Sequence, residues 1–245
     1  MNKIPLETSG EESAIRFRDC FSVRYIQSAA LLCRLGYAIE SSGRDLGEVS
    51  EEDLLRHEAF ILNSVLSTVA FLECTINELY ADAADDAYYY ADEKQELLLK
   101  TIGERWNNKK NFDRAPMVSK YQKILEITGK PPFDGHEVAF ANIRILSEIR
   151  NHLMHYKREW VVIPTTQSHT ASGASTADKF EKILRMKFAL NPLAEKKQPF
   201  FPDKCLGHGC AEWAVLNSLI FTDAFSRRLE LPLPYEGIRE ELATR

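Results

Sequence analysis

One long apolar segment constrains the fold of this chain more than any other feature. Between residues 52 and 82, apolar side chains recur at helical spacing and cover most of the helix circumference. A helix that is apolar on most faces needs neighbours on most faces, so it belongs at the centre of a bundle. Polar residues also interrupt the segment every few positions, which a bilayer-spanning helix tolerates poorly. We therefore predict the central helix of a soluble α-helical protein with no membrane span.

The same periodicity predicts three further long helices, at residues 11–40, 136–159 and 206–229, and a shorter one at 178–190. The sequence has neither an alternation of strands with helices nor a run of strands, which argues against the α/β and all-β classes. The predicted class is all-α, an up-and-down bundle of four long helices. Residues 161–203 are predicted to form an insertion before the last long helix.

The length of 245 residues fits one large domain. We predict a flexible N-terminal tail at 1–10, a single helical domain at 11–231, and a C-terminal tail at 232–245, where Pro232 and Pro234 stop the last helix. With 44% hydrophobic residues, the chain can build a core without disulfides or structural metals. The net charge of -5 excludes a uniformly basic nucleic-acid binder but leaves room for a local basic site.

The cysteines indicate a reducing compartment. There are five, an odd number, and Cys20, Cys33 and Cys74 lie within apolar helical patterns, as free thiols in a protein core do. The N-terminus also has no apolar run of the kind that a secretory signal carries. We therefore expect a cytoplasmic protein.

The residues with the clearest chemical meaning lie on the third long helix, in the sequence RNHLMH at 150–155. One helical turn separates Asn151 from His155, so both side chains lie on one face, and the long side chain of Arg150 can reach that face. Histidine moves protons near neutral pH, arginine stabilises phosphate charge, and an amide orients the phosphate or the imidazole. These residue types suit metal-independent cleavage of RNA, and we predict all three as catalytic.

The neighbouring residues are weaker candidates for substrate binding. His152 adds a second imidazole, Tyr156 an aromatic ring, and Lys157 and Arg158 two positive charges. The 2′-hydroxyl that such a reaction requires would make the site select RNA over DNA.

The pattern Arg-Asn-x-x-x-His at 150–155 resembles the signature motif of HEPN domains, in which an arginine, often followed by a polar residue, precedes a histidine. The segments AFLECTINELY at 70–80 and CAEWAVLNSLIFTDAF at 210–225 are similar to the central and closing helices of bacterial HEPN-like proteins. The resemblance implies an all-α bundle and, as in many members, a metal-independent endoribonuclease whose cleft is shared by two protomers. It places Arg150, Asn151 and His155 in the active site.

The resemblance also implies partners. Enzymes of this family occur as toxins and in antiviral or abortive-infection systems, so we expect RNA, a second copy of the chain in a homodimer, and an antitoxin or other regulatory protein. We expect no cofactor and no catalytic metal. Other HEPN domains have no known activity, so the alternative is a non-catalytic module that binds a nucleotide, RNA or a protein.

The family pattern is not matched at one position. Some members carry a tyrosine two residues after the motif histidine, where a partner nucleotidyltransferase adds AMP. Here Lys157 occupies that position and Tyr156 is its neighbour. Because one helical residue rotates a side chain by about 100°, the resemblance does not support that mode of control.

A third alternative is a structural zinc site formed by Cys205, His208 and Cys210. A structural zinc ion normally takes four ligands, and the remaining cysteines are isolated along the chain. We therefore predict no metal site there.

Three charged or titratable residues of the central helix complete the set of expectations. His57, between two charged neighbours, is predicted to lie on the surface. Glu73 and Glu78 would each need a partner if buried, and Arg150 is a candidate for that role.

Overall fold

The computed structural model describes residues 3–4, 16–17, 19–47, 49–85, 92–107, 114–158 and 175–245. Its α-helices are α1 (Phe21–Leu46), α2 (Glu51–Ala84), α3 (Glu93–Asn107), α4 (Met117–Ile127), α5 (Val138–Met154), α6 (Thr176–Leu184) and α7 (His208–Leu229). A π-helical turn at Phe200–Lys204 and a 3₁₀ helix at Glu236–Leu242 flank α7, and strands β1 (Lys3–Ile4) and β2 (Arg16–Phe17) pair antiparallel. The predicted all-α helical bundle is confirmed.

Helix α2 is the centre of the bundle, as its apolar pattern predicts. It packs against α1, α3, α4, α5 and α7. Ser50 caps its N-terminus by accepting a hydrogen bond from the backbone N–H of Asp53 at 3.1 Å, and acidic side chains fill its first turn. Gly36 of α1 lets the two helices approach closely, because a Cβ there would lie 2.5 Å from Cδ1 of Ile61.

Among the described helices, α2 is the one long and apolar enough to cross a membrane by length and composition. The protein itself covers much of this helix, and Ile61 and Val65 are fully buried. Two hydroxyls of the same stretch are satisfied internally, because Ser64 donates to the carbonyl of Ala29 and Thr68 to that of Ser64, both at 2.8 Å. These are the contacts of a core helix in a bundle.

Two of the long helices, α1 and α5, are shorter than predicted. Helix α1 begins at Phe21 rather than at residue 11, because Arg16–Phe17 is paired with Lys3–Ile4 in the short ladder. Helix α5 ends at Met154 rather than at residue 159, and the backbone leaves helical geometry at His155, with φ -118° and ψ 37°.

The segment 232–245, predicted as a C-terminal tail, packs onto the bundle. Tyr235 is fully buried and Leu242 is 4% exposed. The Tyr235 hydroxyl donates to Oδ1 of Asp223 in α7 at 2.6 Å, and the Arg34 guanidinium of α1 donates to backbone carbonyls of the segment. Apolar burial and these hydrogen bonds make the segment part of the domain.

The described part of the insertion lies beside α5. Ser175 and Asp178 form a capping box that starts α6 slightly earlier than predicted, and α6 ends at Leu184 rather than at residue 190. Lys179 of α6 forms an ion pair with Glu148 of α5 at 2.7 Å. Residues 161–174 of the insertion lie outside the described part of the chain.

A buried polar cluster connects α1, α2, α7 and the C-terminal segment. Oε1 of Glu40 accepts hydrogen bonds from Nε2 of His57 at 2.8 Å and from the backbone N–H of His208 at 2.6 Å. His208 Nε2 donates in turn to the carbonyl of Thr244 at 3.0 Å. The prediction of a surface His57 is wrong: the residue is 2% exposed, because it faces Glu40 across the interface between α1 and α2.

Candidate functional site

The motif lies on the last turn of α5, at the rim of the bundle. Leu146 and Ile149 are fully buried and fix this end of the helix to the core. Arg150 is half-buried, whereas Asn151 and His155 are exposed. The backbone N–H of His155 donates to the carbonyl of Asn151 at 3.0 Å, which closes the final turn. The fold therefore presents all three predicted catalytic residues on one rigid helix end.

Within the described part of the chain, no side-chain hydrogen bond or ion pair engages Arg150, Asn151 or His155. The nearest acidic residue in sequence, Glu148, is bound to Lys179 instead. Asn151 and His155 are exposed, so their polar groups need no internal partner. These side chains are available to a ligand.

The candidate partners of Arg150 on α2 are bound elsewhere. Glu73 forms an ion pair with the buried Lys120 of α4 at 2.6 Å, and Glu78 accepts a hydrogen bond from the backbone N–H of Ser22 at 2.9 Å. The expectation that either acid positions Arg150 is therefore wrong. The sequence could not show whether these acids lie near the motif, because that depends on how α4 and α5 pack against α2.

His152 and Tyr156 belong to an aromatic cluster on the side of α5 that faces α6. The His152 ring makes edge-to-face contacts with the rings of Tyr156, Phe180 and Phe201, with centroid distances of 5.6, 5.7 and 5.2 Å. This cluster borders a pocket of about 270 Å³. Its remaining walls are the start of α6 and the turn at residues 199–203.

The other two predicted binding residues follow the end of α5. Lys157 and Arg158 are exposed. Together with Arg150 they add positive charge next to the motif in a chain whose net charge is -5. This local excess of positive charge suits a polyanionic ligand.

The residues of the zinc alternative serve structural contacts. Cys205 and Cys210 are fully buried, and a hydrogen bond with Cys205 together with burial raises the pKa of the Cys210 thiol. His208 is bound to Thr244, as described above. Across the described residues, no group of three histidine, cysteine or acidic side chains is placed to hold a metal ion.

A wider pocket of about 440 Å³ lies at the start of α1, lined by Asp19, Phe21, Tyr25 and Glu78 among others. Its charged side chains in the described part of the chain are acidic, and Glu78 is already bound to Ser22. Among the described residues, this pocket therefore has no cationic side chain to stabilise a phosphate.

The end of α5 thus combines an imidazole, a guanidinium and an amide with an adjoining aromatic pocket. The sequence indicated the first three but missed Phe201 and Asp203, whose only signal is the Phe-Phe-Pro-Asp stretch at residues 200–203 of the insertion. The chain matches no protein-family model, no curated protein and no solved structure. The chemistry of the site therefore follows from its own side chains.

Proposed function

We propose that the protein is a cytoplasmic, metal-independent endoribonuclease of the HEPN type. One observation carries the proposal: Arg150, Asn151 and His155 lie together at the exposed end of α5 and have no side-chain partner among the described residues. An imidazole, a guanidinium and an amide that are close together and not engaged by other side chains can bind a phosphate.

The reaction is an internal transesterification. The RNA 2′-oxygen forms a bond to the adjacent phosphorus, and the bond from phosphorus to the 5′-oxygen breaks. His155 accepts the proton of the 2′-hydroxyl or donates a proton to the departing 5′-oxygen. Arg150 stabilises the negative charge on the phosphoryl oxygens, and Asn151 orients the phosphate or the imidazole. The products are a 2′,3′-cyclic phosphate and a 5′-hydroxyl.

A homodimer is part of this proposal. Two copies of the motif facing each other across a two-fold axis would supply one histidine as base and another as acid. Met154 and Tyr156, which are 60% and 56% exposed, flank His155 and support burial of this region against another molecule. An unrestrained ribonuclease harms its cell, which favours a toxin or defence effector that an antitoxin or other regulatory protein holds in check.

The test is a cleavage assay with single-stranded RNA in EDTA. The wild-type protein is expected to cleave, and His155→Ala is expected to lose about 10²–10⁴ in rate, the usual contribution of a general acid or base. Arg150→Ala is expected to lose about 10²–10³. The matched control is His136→Ala, which removes an exposed histidine at the opposite end of the same helix and leaves the rate unchanged.

The outcomes separate the two functions that the motif allows. Equal rates for the wild type and His155→Ala would refute catalysis by this residue. RNA binding without cleavage by the wild type would favour a non-catalytic binding module instead.

A further inference from the structure

The pocket beside the motif has the dimensions and lining of a site for one planar ring. Its volume of about 270 Å³ lies just below the roughly 300–1,000 Å³ of clefts that hold drug-sized ligands. His152, Tyr156 and Phe201 supply aromatic surface, and Pro199 and Pro202 add apolar walls. Aromatic and apolar walls of this kind stack on nucleobases.

One polar side chain gives this pocket a chemical preference. Asp203 lines it, and within the described residues no hydrogen bond or ion pair engages the Asp203 carboxylate. An ionised carboxylate only accepts hydrogen bonds. It therefore favours a ring that presents donors and disfavours one that presents acceptors.

A phosphate does not fit the same place. The pocket includes the first turn of α6, and helix N-termini attract anions. Here, however, the carboxylate of Asp178 already accepts the backbone N–H of Ser175 at 2.9 Å, and Asp203 adds a second negative charge. Both charges repel an anion, so the base of a nucleotide suits the pocket better than its phosphate.

We infer that this pocket binds a guanine base of the RNA substrate. Guanine presents two adjacent donors, N1–H and the N2 amino group, which a carboxylate accepts as a pair. The corresponding edges of adenine and cytosine each place an acceptor next to their donor, and uracil has a single donor between two carbonyls. The inference rests on the proposed function, because His152 lies in the last turn of α5 and His155 directly follows that helix, so the pocket adjoins the proposed catalytic residue.

The test measures binding without cleavage. Fluorescence anisotropy is used with His155→Ala protein and two labelled hexaribonucleotides, a uridine oligomer with one central guanosine and the same oligomer with adenosine there. The guanosine oligomer is expected to bind about tenfold more tightly, the discrimination of one bidentate contact. Asp203→Asn in the same background is expected to abolish the difference. Glu58→Gln, which neutralises an exposed carboxylate on α2, is the matched control and is expected to keep it.

A second variant tests the aromatic wall. Tyr156→Ala removes a largely exposed ring and is expected to weaken binding of both oligomers about tenfold while preserving the guanosine preference. Equal affinity for the two oligomers, or a preference that survives Asp203→Asn, would overturn the guanine site. If the guanosine preference is found but the wild-type protein cleaves no RNA, the guanine site is supported and the proposed ribonuclease activity is refuted.

Discussion

Replacing Glu40 with alanine removes the acceptor of two buried donors at once. Glu40 is 3% exposed, and its Oε1 atom accepts from Nε2 of His57 at 2.8 Å and from the backbone N–H of His208 at 2.6 Å. A buried donor left without a partner costs about 1–3 kcal/mol. The two donors and the small cavity therefore predict a loss of about 3–5 kcal/mol in the free energy of unfolding, the range found when one member of a buried pair is removed.

The assay is urea unfolding followed by circular dichroism at neutral pH. Glu40→Ala is expected to lower the midpoint with little change in slope, because the same surface is exposed on unfolding. Glu40→Gln keeps one acceptor oxygen and is expected to lose about 1–3 kcal/mol. Glu58→Ala, at an exposed position of α2, is the control and is expected to change stability by less than about 0.5 kcal/mol. A loss below about 1 kcal/mol for Glu40→Ala would show that these hydrogen bonds do not hold α7 to the α1–α2 pair.

Three further predictions concern stability and reactivity. Hydrogen bonds from the side chains of Lys94 and Lys130 lower the pKa of Glu230 from 4.5 to about 2. Its ionised form therefore stabilises the fold above pH 4.5, and that stability is lost as the pH falls towards 2. Glu230→Gln is expected to flatten this part of an acid unfolding curve, and an unchanged curve would contradict the pairing. Gly103→Ala places a Cβ 2.2 Å from the backbone carbonyl oxygen of Ala83 in α2 and is expected to lower the free energy of unfolding in urea by about 1–3 kcal/mol. The control Gly135→Ala places its Cβ with no atom within 4 Å. Equal losses of stability in the two variants would refute the close packing of α3 against α2. Cys20 is exposed, whereas burial raises the pKa of the Cys33 thiol to about 12. After brief iodoacetamide treatment, mass spectrometry is therefore expected to find Cys20 alkylated and Cys33 intact. Faster alkylation of Cys33 would contradict the fold.

Local sequence signals were sufficient for the long helices. The apolar pattern of α2 defines a helix whose position at the centre follows from its composition. The motif was also found locally, because Arg150, Asn151 and His155 lie within six residues, at the end and C-cap of one helix. Thus the class of the fold and the grouping of Arg150, Asn151 and His155 could be predicted from the sequence alone.

Contacts between distant parts of the chain account for the differences. His57 has charged neighbours in sequence, and only the packing of α1 against α2 brings Glu40 to it. Tyr235 follows two helix-breaking prolines, yet its ring packs against Phe71 with centroids 5.6 Å apart. The pocket next to the motif depends on Phe201, which lies about fifty residues after His152 in the chain and 5.2 Å from its ring. No periodicity within one segment encodes such pairings.

The chemical groups at the two new RNA ends test the proposed transesterification directly. RNA incubated in EDTA with wild-type protein is analysed by mass spectrometry to identify both new termini. We expect a 2′,3′-cyclic phosphate on one fragment and a 5′-hydroxyl on the other, and we expect His155→Ala to produce neither. Intact RNA, or fragments that end in a 3′-hydroxyl and a 5′-phosphate, would contradict the proposed transesterification.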